Sequence, residues 1–143
     1  MSIPPIPAHL QLQIVSADRS LVNERVDEVE IPGADGYFGV LPGHTPLLAL
    51  LGAGELWYRQ GQDKTYLAIA FGFAEVQPDR VTILATIAEM AEEIDTPRAE
   101  ASKKRAEERL ARATAEMDAE RARIALLKSL IRLQVATRAR IRS

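Results

Sequence analysis

The sequence contains no cysteine, which excludes a disulfide framework and a thiolate metal site. Histidine is confined to His9 and His44, too few for a histidine-rich metal centre. Aromatic residues are scarce, and none is interleaved with the basic residues of 119–143, which speaks against a grip on nucleic acid. No apolar run approaches the ~18 residues of a membrane-spanning helix. The first residues hold Pro4, Pro5 and Pro7 but no basic region and no apolar core, so they do not read as a secretory signal. The first Lys or Arg is Arg19, which also argues against a mitochondrial transit peptide. No Ser/His/Asp set, GxxxxGK[ST] loop or HExxH pattern occurs, so the chain is expected not to be an enzyme in its own right and to hold no metal.

What is present is strongly segregated. The formal charge of −2 over 143 residues is made of −9 over residues 1–95, +1 over 96–118 and +6 over 119–143. An acidic body with a basic tail points to an acidic partner surface for the tail. The length suits one domain, or one domain with an appendage.

The periodicity changes with the charge. Leu10, Leu12 and Ile14 alternate as in a half-buried strand, and Val22, Val26, Val29 and Ile31 read as one or two more. Residues 32–36 read as a loop. Pro42-Gly43 is a turn, and Gly52-Ala53-Gly54 reads as a second stop. The stretches 55–60 and 65–71 read as one hairpin, and 72–77 and 80–87, joined by Pro78-Asp79, as another. Strands at this spacing predict a mainly antiparallel β-sandwich over residues 1–88. Residues 89–95 read as a short acidic linker. From Thr96 to Arg140 there is no glycine and the only proline is Pro97, at the start of a helix capped by Thr96 or Asp95. That helix runs to about Arg112 with a thin face of Ala99, Ala106, Leu110 and Ala113. A second, from about Asp118 to Arg138, carries Ile124, Leu127 and Ile131 on one face with Leu126, Leu130 and Leu133 beside it. Together, over 96–143, they predict an antiparallel helical hairpin; one continuous helix satisfies the same pattern.

The stretch Gly39-Val40-Leu41-Pro42-Gly43-His44-Thr45-Pro46-Leu47-Leu48, with Gly52-Ala53-Gly54-Glu55-Leu56 behind it, resembles the signature of the epsilon subunit of bacterial F-type ATP synthases. The same family is called epsilon in chloroplasts and delta in mitochondria. The likeness extends through Leu12-Gln13-Ile14-Val15-Ser16-Ala17, Gly72-Phe73-Ala74-Glu75-Val76-Gln77-Pro78, Val81-Thr82-Ile83-Leu84-Ala85 and Ile94-Asp95, and covers roughly residues 8–138. It implies a non-catalytic central-stalk rotor subunit that couples proton-driven rotation of the c-ring to ATP synthesis. It also implies that the C-terminal helices, either folded or extended along the shaft, restrain ATP hydrolysis. The partners it implies are the gamma subunit, the c-ring and the alpha/beta catalytic head, with no nucleic acid. The place it implies is the cytoplasmic side of the bacterial plasma membrane, peripherally.

The resemblance also assigns residues. Ala34, Asp35, Gly36, Tyr37 and Phe38 fall at the end of the sandwich that meets the c-ring. Tyr37 stands where many relatives carry an acidic residue, and Phe38 either docks with it or turns into the core. Ser16 and His44 fall at the gamma contact, although His44 equally suits a polar cap bonding its own turn. Of Trp57 and Tyr58, on opposite strand faces, one belongs to the core. Glu89, Ile94, Asp95, Arg98, Ala99, Arg105 and Arg132 match a regulatory ATP-binding pattern, with arginine forks for phosphate oxygens. Lys128 stands where nucleotide-binding members carry arginine. No cofactor is required. The other reading of 96–112 is a charged helix that pairs with itself. Arg121, Arg123, Lys128, Arg138, Arg140 and Arg142 form the basic side expected to meet an acidic segment of the beta subunit, or else a solvated face. The competing reading of the whole is a stand-alone sandwich and hairpin whose basic helix binds an acidic partner or nucleic acid.

Overall fold

Leu10, Leu12 and Ile14 are all fully buried, as their alternation requires. The computed structural model describes residues 3–142; the side chain of Arg142 lies outside the described residues. Seven strands come first: β1 (Leu10–Val15), β2 (Ser20–Val26), β3 (Glu28–Gly33), β4 (Gly36–Val40), β5 (Leu47–Gln60), β6 (Asp63–Gln77) and β7 (Arg80–Met90). They lie in the order β2-β1-β7-β6-β5-β3-β4. β1 runs antiparallel to β2, β3 to β4 and to β5, and β5 to β6, whereas β1 is parallel to β7. Two helices follow, α1 (Thr96–Arg112) and α2 (Glu116–Arg142). The expected fold class, a mainly antiparallel sandwich followed by a helical hairpin, is borne out.

The strands are longer than the glycines suggested. Gly52-Ala53-Gly54 does not stop a strand, and Phe71-Gly72 does not divide two hairpins: β5 and β6 run straight through, paired from Leu47↔Val76 to Gln60↔Asp63. The glycines bend the ribbon rather than end it. Phe71 (φ 60°) and Gly72 (φ 118°) hold backbone outside the β region. Before them both faces of β6 are buried, at Leu67, Ala68, Ile69 and Ala70; beyond them only the face of Ala74 and Val76 is. On β5 the inward side changes phase, from Leu51 to Leu56 and Tyr58. A strand that turns its other face inward partway along can serve both layers of a sandwich. Gly72 has no substitute here, because a Cβ would collide with the Leu84 carbonyl oxygen of β7.

An ionic clasp ties the far end of the sheet. Asp27, between β2 and β3, accepts the Gly61 N–H at 2.6 Å and lies 3.0 Å from His9 Nδ1. Arg59 donates from Nε to Glu28 at 3.0 Å. The Gly61 N–H first, and His9 second, hold the Asp27 carboxyl below its ordinary 3.8.

The chain divides into two compact units, with the change at residues 89 and 90. In the second, residues 91–93 wind into a 3-10 turn, so the stretch expected to be a linker has regular structure as far as Glu93. Asp95, not Thr96, caps α1, its Oδ1 accepting the Arg98 N–H at 3.1 Å. The hairpin, not the continuous helix, is what forms: Ala113 adopts an extended conformation and ends α1. α1 and α2 pack on each other. Their buried positions among the described residues are mostly small: Ala99 and Ala106 on α1, and Ala122, Ser129 and Ala136, seven residues apart, on α2, with Val135 the one larger side chain buried there. Ser129 keeps its hydroxyl satisfied by donating to the Ala125 carbonyl at 3.0 Å. Of the large aliphatics expected to form the packing face, Ile124, Leu126, Ile131 and Leu133 are half-buried, whereas Leu127 and Leu130 remain 39% and 42% exposed. Small residues let two helix backbones approach closely, and Leu127 and Leu130 stay outside that contact.

Candidate functional site

The loop expected over residues 32–36 is shorter than that. Only Ala34 and Asp35 form the turn, Gly33 pairs with Gly36, and Tyr37 and Phe38 stand in β4 opposite Pro32 and Ile31. Tyr37 is 56% exposed, yet its hydroxyl accepts the Glu55 N–H at 3.1 Å. The pairing of β3 with β5 breaks between Glu30 and Gly33, and the phenol reaches across that gap. Gly54 is bare for the same reason: a Cβ there would collide with the Tyr37 hydroxyl. Phe38 is half-buried, between the two expected fates.

Beside this hairpin lies a groove of about 630 Å³, with residues 33–38 along one side and Leu47, Leu48, Ala49 and Leu50 along the other. Leu48 is 69% exposed and Leu50 60%, and Phe73, paired with Leu50 across the ribbon, is also exposed. Clustered large apolar side chains left in water are the mark of interaction surfaces and of ligand grooves. Sequence reasoning missed these leucines. The available signal was that residues 47–51 are apolar at every position, too many for a strand with only one buried face.

Ser16 closes the turn between β1 and β2, its N–H donating to the Arg19 carbonyl at 2.9 Å. His44 Nδ1 is 2.6 Å from the Thr45 carbonyl, so one ring nitrogen donates within its own turn. Gly43 N–H reaches the Pro78 carbonyl at 2.7 Å, which ties this turn to the one between β6 and β7. Of the aromatic pair, Tyr58 is buried and Trp57 is half-buried with Lys64 Nζ 4.2 Å from its ring centre.

In the second unit, Ile94 and Ala99 are buried and Asp95 is engaged as the cap of α1. Arg98 and Arg105 are exposed, and Arg105 donates to Ser102 at 2.9 Å. Arg132 is half-buried and is not a free cation. Glu89, half-buried near the end of β7, is likewise engaged. A cavity of about 480 Å³ opens at the elbow of the hairpin, and of these residues only Arg105 lines it. Among the basic residues of α2, Arg121, Arg138 and Arg140 are exposed and Lys128 is half-buried. Arg123 is taken up by its own helix, 3.0 Å from Glu120 and 3.5 Å from Glu116. The Arg142 side chain lies outside the described residues. Among the described residues, no cluster of three metal-ligating side chains occurs, and no helix is long and apolar enough to cross a membrane.

Comparison with known proteins matches both units in order. Residues 9–91 match the family described as ATP synthase, Delta/Epsilon chain, beta-sandwich domain, and residues 92–137 its long alpha-helix domain. The ATP synthase epsilon chain of Syntrophobacter fumaroxidans is 49% identical over 127 residues, covering 89% of this chain and 95% of that one. The epsilon chain of Solibacter usitatus is 43% identical over 131 residues, covering 92% and 98%. Among solved structures, a chain of the Euglena gracilis mitochondrial ATP synthase, in its OSCP/F1/c-ring assembly, is similar with a TM-score of 0.80 and 26% identity. That likeness covers 98% of this chain and 86% of that one.

Proposed function

The chain belongs to the ATP synthase delta/epsilon family, and from that premise we propose how its two units divide the work of a central-stalk subunit. It is a non-catalytic subunit of ATP synthase, and its partners are the gamma subunit, the c-ring and the catalytic head. The observation that carries this reading is the succession of both family domains, in order, on a sandwich followed by a hairpin.

The sandwich is the coupling body. Its hairpin at residues 34–38 meets the c-ring, and the apolar groove beside it buries Leu47, Leu48, Leu50 and Phe73 against a partner subunit. Ser16 and His44, on two turns of the same unit, contact gamma. Proton-driven rotation of the ring is passed through this body to gamma. Attachment to the bacterial plasma membrane, on its cytoplasmic side, is through the ring.

The hairpin is a brake on ATP hydrolysis. Extended, it presents Arg121, Lys128, Arg138 and Arg140 to an acidic segment of the beta subunit, where opposite potentials favour association. Folded, it exerts no restraint. ATP is a regulatory ligand of the folded form, held by Arg98, Arg105 and Arg132 with Glu89, Ile94, Asp95 and Ala99 at the adenosine end. It shifts the population only by its differential affinity for that form.

The test is ATP hydrolysis by the matching catalytic head, stripped of this subunit and then supplemented with the full chain or with a chain ending at Met90. The full chain is expected to slow hydrolysis, and the shortened chain to bind without slowing it. Equal rates with both, each bound, would remove the brake and leave the coupling body. Failure of both to bind would overturn the reading.

A further inference from the structure

We propose that the proline-rich strap ahead of β1, residues 3–7, is a docking segment for an apolar surface of the gamma subunit. Its conformation is set before anything packs on it. Pro4, Pro5 and Pro7 have φ fixed by their rings. Ile3, Pro4 and Ile6 each precede a proline, which drives them out of the helical region into extended backbone. Every residue of the strap is therefore restricted, and none belongs to a helix or a strand. An extended segment of this kind turns once in about three residues, so Ile3 and Ile6 share an edge.

The strap is seated on the sandwich. Ile6 lies against the Pro42-Gly43 turn, where a Cβ on Gly43 would come within 3.0 Å of the Ile6 Cγ2. Gly43, at φ 89°, ties that turn to the Pro78 carbonyl at 2.7 Å. His9, two residues beyond the strap, is 3.0 Å from Asp27 and fixes its other end. The fold nevertheless makes little use of the isoleucines. Ile3 is 91% exposed and Ile6 77%, and Leu41, in the same turn as Gly43, is 55% exposed. No Asp, Glu, Lys or Arg occurs before Asp18, so the edge is apolar and uncharged. A stiff apolar edge held in water suits an interaction segment, because a segment ordered in advance loses little entropy when it binds.

The partner follows from the place: Ile6 packs on the residue next to His44, and the assignment rests on His44 as a gamma contact. The turn that meets the c-ring is elsewhere. β4 runs five residues, about 17 Å, from the Ala34-Asp35 turn to Leu41. The family match begins at residue 9, so the strap lies ahead of the shared domain and enlarges its interface.

The test is dissociation of the labelled full chain from the matching catalytic head, which keeps gamma and has been stripped of this subunit. Wild type and I3S/I6S are compared, in parallel with isolated c-ring in detergent. I3S/I6S is expected to leave the gamma-containing head at least about tenfold faster than wild type, because two isoleucines no longer gain from burial, and to match wild type on the ring. Thermal melts of the two proteins are expected to coincide, since both side chains are exposed. The chain has no cysteine, so A8C takes a photo-crosslinker at one place, beside intact isoleucines. Its crosslink in the assembled head is expected to be with gamma. Equal dissociation rates, or a crosslink to the ring, to the beta subunit or to a second copy of this chain, would overturn the proposal and leave the His44 contact standing. Failure of wild type to bind the gamma-containing head would sink both.

Discussion

Single residues carry more than their type suggests, and Tyr37 is the clearest case. An exposed aromatic in a proposed subunit contact is also a hydrogen-bond acceptor that closes a gap between β3 and β5, and it forces Gly54 to lack a side chain. Asp27 is the titratable counterpart. Its carboxyl is held below 3.8 by the Gly61 N–H and by His9, so the native state favours the charged form. Its stabilising contribution is complete above the ordinary carboxylate range and is lost as pH falls through the depressed native value. The stability difference between wild type and Asp27→Asn, from urea unfolding, is therefore expected to hold constant near neutrality and to shrink below pH 3.8. A difference that grows on acidification would contradict the assignment. His9, Arg59 and Glu28 complete the charged surroundings of this group.

At the scale of elements, the hairpin inverts the usual reading of a helical wheel. The buried side chains are Ala99, Ala106, Ala122, Ser129, Val135 and Ala136, the aliphatics Ile124, Leu126, Ile131 and Leu133 are half-buried, and Leu127 and Leu130 are left in water. Tight contacts between small residues do not tolerate added volume. Ala122→Leu is expected to cost about 1–3 kcal/mol of hairpin stability by overpacking. Leu127→Ala, which deletes a larger apolar group, is expected to cost less because that group is already hydrated. Thermal melts followed by helical circular dichroism measure both, and the reverse order would show that the aliphatic face is the packed one. β5 and β6 carry the equivalent lesson for the sheet. The glycines at 52, 54 and 72 read as stops in a linear pattern, because a glycine can either end a strand or bend it. What separates the two outcomes is the neighbour that fills the vacated space: the Tyr37 hydroxyl over Gly54 and the Leu84 carbonyl over Gly72.

At the scale of the whole molecule, the two units differ in charge, in periodicity and in their contacts. The first has its own core, with Leu10, Leu12, Ile14, Ile31, Leu56 and Leu67 among its fully buried side chains. A chain ending at Met90 is therefore expected to keep a sheet-type circular dichroism spectrum and to unfold cooperatively in urea. A featureless titration would show that the sandwich depends on the helices. By itself, the sequence determined the class of the fold, the family and the segregation of charge. These depend on local periodicity, turn chemistry and the order of motifs, all of which are written along the chain. It also brought out Arg98, Arg105 and Arg132 as a set, because a motif is linear. Only the tertiary structure decided that Gly54 lies beneath a tyrosine, that the hairpin closes on alanines, and that Leu47, Leu48, Leu50 and Phe73 share one exposed patch. It alone laid Ile6 against the turn at Gly43. Each of these depends on distances between residues far apart in sequence, set when the chain packs, and no window along the chain contains both partners.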